Sequence, residues 1–194
     1  MPDIASRPWL PRSAWAGILA PGLSGRADAE SSLTITPRED LGLLTVIGRR
    51  QPEEAFVELF GVAPPRMPRV ANGRGVAIVW SGPGQWLLVF PRQDMVDEAS
   101  RRLSGCAALA EQSDARAILR LRGPRARDTL AKGCPVDLHS RVFATDQVAL
   151  TTIAHVGALL WQVDATPTYD IAVPRSVASS FWSWLKISAA EFVI

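Results

Sequence analysis

Alternating and helical patterns of apolar residues mark out elements from residue 33 onward. A short strand over 33–36 leads into a clearer one over 41–47, where Leu41, Leu43, Thr45 and Ile47 share a face. Pro52 opens a helix over 52–60. Glu53 and Glu54 suit the positive end of its dipole, Phe56, Leu59 and Phe60 recur at helical spacing, and Gly61 is placed to close it. Residues 62–74, with Pro64, Pro65, Pro68 and three arginines (Arg66, Arg69, Arg74), read as a loop. Residues 76–80 and 86–90 read as a hairpin around Ser81-Gly82-Pro83-Gly84, with Trp80 and Trp86 as a cross-strand pair. A helix over 93–103 follows. Its acids are early, Arg101 and Arg102 are late, and Val96, Ala99 and Leu103 form its apolar stripe. A strand over 106–111 completes this part of the chain.

The pattern then repeats. Ala117, Leu119 and Leu121 alternate with Arg116, Ile118, Arg120 and Arg122, which predicts a half-buried strand with a basic outer face. Gly123 turns the chain, Pro124 opens a short helix running to about residue 132, and Gly133 is placed as its closing residue. Strands over 148–154 and 158–164, a strand over 169–173 and a helix over 175–186 follow. The two halves, about 33–113 and 114–194, repeat one element order at an offset of about 75 residues, the second carrying an extra strand. The predicted class is α+β: two ferredoxin-like split β-α-β halves with largely antiparallel sheets. Residues 1–32 form an irregular arm rich in proline, yet it holds Trp9, Leu10, Trp15, Ile18 and Leu19. Side chains of this size favour burial. Two readings stand: the arm packs back on its own domain, or it docks on a partner with Trp9 and Trp15 as anchors.

Composition narrows the function classes. A chain of 194 residues, 47% hydrophobic and 21% charged, can bury a full core. A net charge of +2, with 21 basic residues dispersed among 19 acidic ones, gives no field suited to nucleic acid or a membrane surface. The N-terminus lacks a basic segment followed by a long apolar run, and no apolar stretch approaches the ~20 residues of a membrane span, so a cytoplasmic protein is expected. Two cysteines, Cys106 and Cys134, are too few for a disulfide scaffold and are expected as buried thiols.

Candidate chemistry is sparse. The only histidines are His139 and His155. Cys134 and His139 lie five apart but lack the second close-spaced pair that a zinc site needs. Cys134 with either histidine is the one nucleophile-and-base combination on offer. There is no GxSxG, HExxH, Walker loop or GxGxxG behind a first strand. No catalytic, cofactor-binding or metal residue is therefore assigned.

One stretch carries a family likeness. Residues 119–139, LRLRGPRARDTLAKGCPVDLH, followed by TTIAHVGALLWQVD (151–164) and YDIAVPRSVASSFWSWL (169–185), resemble the gamma subunit of heterotetrameric sarcosine oxidase. GPRARDTLAKGCPVDLH and RSVASSFWSWL are the specific parts, and SGPGQWLLVFP (81–91) is a weaker match. The resemblance covers roughly residues 40–186 and extends in turn to the folate-binding domain of the glycine-cleavage T protein, whose fold is the duplicated α+β architecture predicted above.

The resemblance implies a non-catalytic chain supporting assembly of a complex of alpha, beta, gamma and delta subunits, with contact mainly to alpha. That complex oxidatively demethylates sarcosine to glycine, hydrogen peroxide and a one-carbon unit. It places FAD, FMN, NAD and tetrahydrofolate on other subunits, zinc on delta, and no cofactor here. Two alternatives are the equivalent subunit of a related N-methyl-amino-acid dehydrogenase, for instance one acting on N-methylglutamate, and a free-standing folate-binding domain. Departures weigh against the last. The T protein uses an aspartate near the first strand of the hairpin at 76–90, and this chain has no carboxylate between Glu58 and Asp94. Lys132-Gly133-Cys134 is similar to a motif of folate-dependent relatives but reads here as a helix end plus a buried thiol. Trp9, Trp15, Arg120, Arg122 and Arg125 are the candidates for partner contact.

Overall fold

The duplication takes the form of two five-stranded antiparallel sheets with a common strand order. The computed structural model describes residues 13–19, 32–49 and 52–192. The first half comprises β2 (Gly42–Gly48), α1 (Pro52–Phe60), β3 (Val70–Gly73), β4 (Val76–Gly82), β5 (Gln85–Phe90), α2 (Val96–Leu103) and β6 (Ala107–Glu111). It is preceded by β1 (Thr34–Arg38). The second half comprises β7 (Arg116–Arg122), α3 (Ala126–Ala131), β8 (Val148–Ile153), β9 (Val156–Asp164), β10 (Thr168–Pro174) and α4 (Ala178–Ala189). One sheet is ordered β3-β4-β5-β2-β6, the other β8-β9-β10-β7-β1. Each half is thus a split β-α-β unit with one added edge strand.

The symmetry corrects one assignment. The strand at 34–38 belongs to the second sheet, where it pairs antiparallel with β7 (Ile35 opposite Leu121, Thr36 opposite Arg120). It fills the position that β6 fills beside β2 in the first. The halves are therefore not contiguous in sequence. No strand follows α4 among the described residues, and β1 completes the second sheet from the other end of the chain. Alternation identifies a strand but not the edge it joins. A second correction is β3, which lies inside the stretch read as a loop: four residues among prolines and glycines are too few to show a period.

Four layers result. Phe56, Phe60, Val96 and Leu103 of α1 and α2 pack on Leu44, Ile78, Leu88 and Phe90 of the first sheet. Leu130, Phe181 and Leu185 of α3 and α4 pack on Leu119, Leu121, Leu160 and Ile171 of the second. Between the sheets lie Leu43, Val79, Leu87 and Val89 from one side and Ile118, Val148, Leu159, Trp161 and Ala172 from the other. Each large aliphatic side chain so buried contributes about 1.5–3 kcal/mol. At one edge the sheets are laced together through equivalent segments. Val70 N–H donates to the Asp146 carbonyl (2.7 Å) and Val148 N–H to that of Pro68 (3.0 Å).

Turn chemistry is as expected at Gly61, which takes a left-handed φ of 76° and donates to the Val57 carbonyl. Trp80 and Trp86 stand opposite one another across the β4–β5 hairpin. Gly133 differs from expectation. Its φ is not left-handed; it is small because a Cβ there would lie 2.5 Å from the Trp184 ring of α4. Packing of α3 on α4 requires it, not the helix end.

Candidate functional site

The arginine-bearing face of β7 looks inward. Arg116, Ile118, Arg120 and Arg122 alternate with Ala117, Leu119 and Leu121, which belong to the helix-side core, while Ile118 lies between the sheets. The basic face predicted as outer is therefore turned toward the opposing sheet, which covers it only in part. The physical reason lies in the four-layer stack: both faces of each sheet are covered, and a single alternating pattern cannot tell which cover is the larger.

On this face the register aligns Arg120 with Asp170 of β10. The pair is bidentate: Arg120 Nε and Nη2 each donate to an Asp170 carboxylate oxygen at 2.7 Å. The Asp170 side chain is 6% exposed and that of Arg120 28%. These hydrogen bonds hold the Arg120 guanidinium above its usual range despite burial. Arg38 of β1 approaches the same pair, where burial lowers its pKa and the Asp170 charge opposes that. Beside them Gln162, 2% exposed, donates its side-chain N–H to the Asp164 carbonyl (2.8 Å) but leaves Oε1 without a donor. Arg38, Arg120, Asp170, Gln162, Asn72 and Asp146 line an inter-sheet cavity of about 210 Å³. That is smaller than the roughly 300–1,000 Å³ of pockets that enclose drug-sized ligands, and its carboxylates are engaged, Asp170 by Arg120 and Asp146 by Asn72 (3.2 Å). The residues do not fit a tetrahydrofolate-sized group.

The other candidate contacts are dispersed. Trp9 lies outside the described residues. Trp15 is 2% exposed, packs in the core of the second sheet and donates its indole N–H to the Ile118 carbonyl (3.1 Å). At this point the arm packs back on its own domain, and Trp15 is not a free anchor. Arg120 is likewise committed internally. Arg122 is exposed. Arg125 is exposed, pairs with Asp128 (2.9 Å) and lies 5.6 Å from the Phe192 ring centroid. Of the loop arginines, Arg66 faces Glu53 at 3.6 Å and Arg74 donates to the Glu58 carbonyl at 3.0 Å.

Cys134 and His139 do not form a site. His139 Nδ1 accepts from Arg141 N–H at 3.2 Å. It is His155, in the β8–β9 turn, that shares a shallow surface depression with Cys134, Lys132 and Trp184. Burial pushes the Cys134 thiol up, opposite to what a nucleophile requires. Lys132 donates to the Ser188 carbonyl (2.6 Å) and to the Glu191 carboxylate, so the Lys-Gly-Cys segment clamps the end of α4. Among the described residues no group of three or more His, Cys, Asp or Glu could hold a metal, and no helix is long and apolar enough to cross a membrane.

Asp170 and Gln162 were not singled out by sequence reasoning. The signal available was a polar residue on the minority face of an apolar strand, namely Asp170 between Tyr169 and Ile171.

Comparison with known proteins places this architecture. Residues 56–191 match the profile of the sarcosine oxidase, gamma subunit family. The chain is 32% identical over 148 residues to the sarcosine oxidase subunit gamma of Corynebacterium sp. strain P-1, covering 71% of this chain and 70% of that one. It is 33% identical over 133 residues to the Arthrobacter subunit gamma, covering 66% and 64%. It superposes on a chain of heterotetrameric sarcosine oxidase from Corynebacterium sp. U-96 with a TM-score of 0.83 and 26% identity, covering 95% of this chain and 97% of that one. The glycine cleavage system aminomethyltransferase T of Bartonella henselae shares the fold, with a TM-score of 0.62 at 16% identity over 80% of this chain and 46% of that one. The duplicated fold and these matches agree, and the chain belongs to the sarcosine oxidase gamma subunit family.

Proposed function

We propose that this chain is the gamma subunit of a heterotetrameric sarcosine oxidase and acts by supporting assembly, not by catalysis. The observation that carries the reading is the superposition on a chain of the Corynebacterium heterotetramer over nearly the full length of both. The chemistry of the chain supports it: the one thiol–histidine neighbourhood has a raised thiol pKa, and the one buried carboxylate on the arginine face is consumed by Arg120. Flavin, dinucleotide and zinc then reside on companion alpha, beta and delta chains, with alpha as the main contact, and the reaction is oxidative demethylation of sarcosine in the cytoplasm. Arg122 and Arg125, both exposed, are the partner-contact candidates that remain available.

Co-expression with the companion subunits tests this reading. Tagged chain should retain a complex with flavin absorbance that oxidises sarcosine, and omission of the chain should lower the yield of assembled complex while the turnover per flavin of what assembles stays within about twofold. A chain that purifies alone in the presence of the others overturns it. A complex that oxidises N-methylglutamate and not sarcosine keeps the structural role and changes the substrate.

A further inference from the structure

A second cavity, of about 280 Å³, lies where residues 13–15, the β1–β2 turn and the start of β7 meet; Ser13, Trp15, Arg38, Asp114, Arg116 and Arg175 are among its walls. Its lining carries three arginines and three carboxylates, yet Arg116 is left without an acceptor. Arg116 Nε is fully enclosed and has no hydrogen-bond acceptor. Arg116 makes no ion pair or side-chain hydrogen bond among the described residues, and burial alone acts on its charge, with no carboxylate opposing it. Two of the acids nearby are already engaged: Asp114 faces Arg175 at 3.8 Å, and Glu39 accepts from the Ser13 hydroxyl. Arg38, on the neighbouring strand β1 opposite Ile118, feels an Asp170 charge already held by both donors of Arg120. A buried cationic donor without an acceptor is costly, and such groups are rarely left so in native proteins.

We propose that this cavity binds a monocarboxylate, received by the Arg116 guanidinium with Arg38 flanking it. The planar guanidinium fork matches a carboxylate in shape and charge. Charge count selects against a phosphate: Arg38, Arg116 and Arg175 face Glu39, Asp40 and Asp114, so the lining is formally neutral and a monoanion unbalances it less than a dianion does. The carboxylate comes either from a small free acid or from an aspartate or glutamate side chain of a companion subunit.

The test uses the full chain, with acetate and butyrate titrated against sodium chloride at matched ionic strength, followed by melting temperature and calorimetry. The wild type binds both acids, and Arg116→Gln weakens binding at least tenfold. Arg38→Gln weakens it by a smaller factor, and Arg122→Gln, outside the cavity, leaves it within twofold. In carboxylate-free buffer Arg116→Gln melts no lower than wild type, because an unpaired enclosed charge has been removed. The same titration on the assembled complex separates the sources, and this arm alone rests on the subunit reading. Retained binding assigns a free acid; loss of binding on assembly, with Arg116→Gln weakening assembly, assigns a companion's side chain. Equal responses of wild type and Arg116→Gln overturn the proposal, as do responses to carboxylates no larger than to chloride in a chain whose Arg116→Gln variant assembles normally.

Discussion

Replacing Asp170 by Asn removes the acceptor from the most enclosed ion pair among the described residues. The wild-type carboxylate sits at 2.7 Å from both Nε and Nη2 of Arg120, with 6% of its side chain exposed. Removing one partner of a buried pair costs about 3–5 kcal/mol, because the other charge stays desolvated. Arg120 keeps 28% exposure, which lets water screen the orphaned guanidinium. The expected cost is therefore lower, about 2–4 kcal/mol. For a chain of this size that is a fall in Tm of about 5–15 °C. The geometry also dictates an asymmetry. Arg38 feels the Asp170 charge and is repelled by Arg120. Arg120→Met leaves Asp170 with Arg38 as a second cation and should cost only about 1–2 kcal/mol, whereas Asp170→Asn leaves two arginines facing each other. The double variant Arg120→Met/Asp170→Leu removes both charges and should lie within about 1 kcal/mol of wild type. Urea titrations of the four proteins, monitored by circular dichroism, measure each difference from wild type. The reasoning is refuted if Asp170→Asn unfolds at the wild-type midpoint, or if Arg120→Met is the more damaging change.

Trp15→Ala deletes a buried indole and its hydrogen bond to Ile118; a loss of about 3–5 kcal/mol is expected, with new protease cleavage around residues 13–19 detected by mass spectrometry. Gly133→Ala drives a Cβ to within 2.5 Å of Trp184 and should cost about 1–3 kcal/mol, read as a lower denaturation midpoint. Ala154→Gly should do the opposite. Ala154 holds a left-handed φ of 48° in the β8–β9 turn, and relieving it should raise stability by about 0.5–1 kcal/mol. Burial raises the pKa of the Cys134 thiol above 9.0 and of the Tyr169 phenol above 10.0. Both groups hold their protons more tightly folded than unfolded, so their contribution is fully present below about pH 8 and is lost as pH rises through 9 and beyond. Denaturation midpoints at pH 8 and pH 10 should therefore diverge, with Cys134→Ala reducing the difference.

Much of the fold was legible because local periodicity is a local property. Whether Ala117, Leu119 and Leu121 form one face of a strand depends only on their spacing, and so does the stripe of Val96, Ala99 and Leu103 on α2. The repeat of element order could likewise be read without coordinates. Three other facts could not, for one physical reason: each depends on what lies across a gap that sequence distance does not measure. Strand β1 pairs with β7 because the second sheet has an open edge there, some 80 residues further along the chain. The arginines of β7 point inward because a second sheet happens to cover that face. Arg120 meets Asp170, fifty residues away, because the β7–β10 register sets them opposite one another. The same distinction holds for function. The residue types of the 119–139 stretch sufficed to point to a family. Which arginines of β7 are spent inside the fold and which, like Arg116, still lack an acceptor was decided by the tertiary structure, because desolvation and pairing belong to the space around a side chain and not to its place in the sequence.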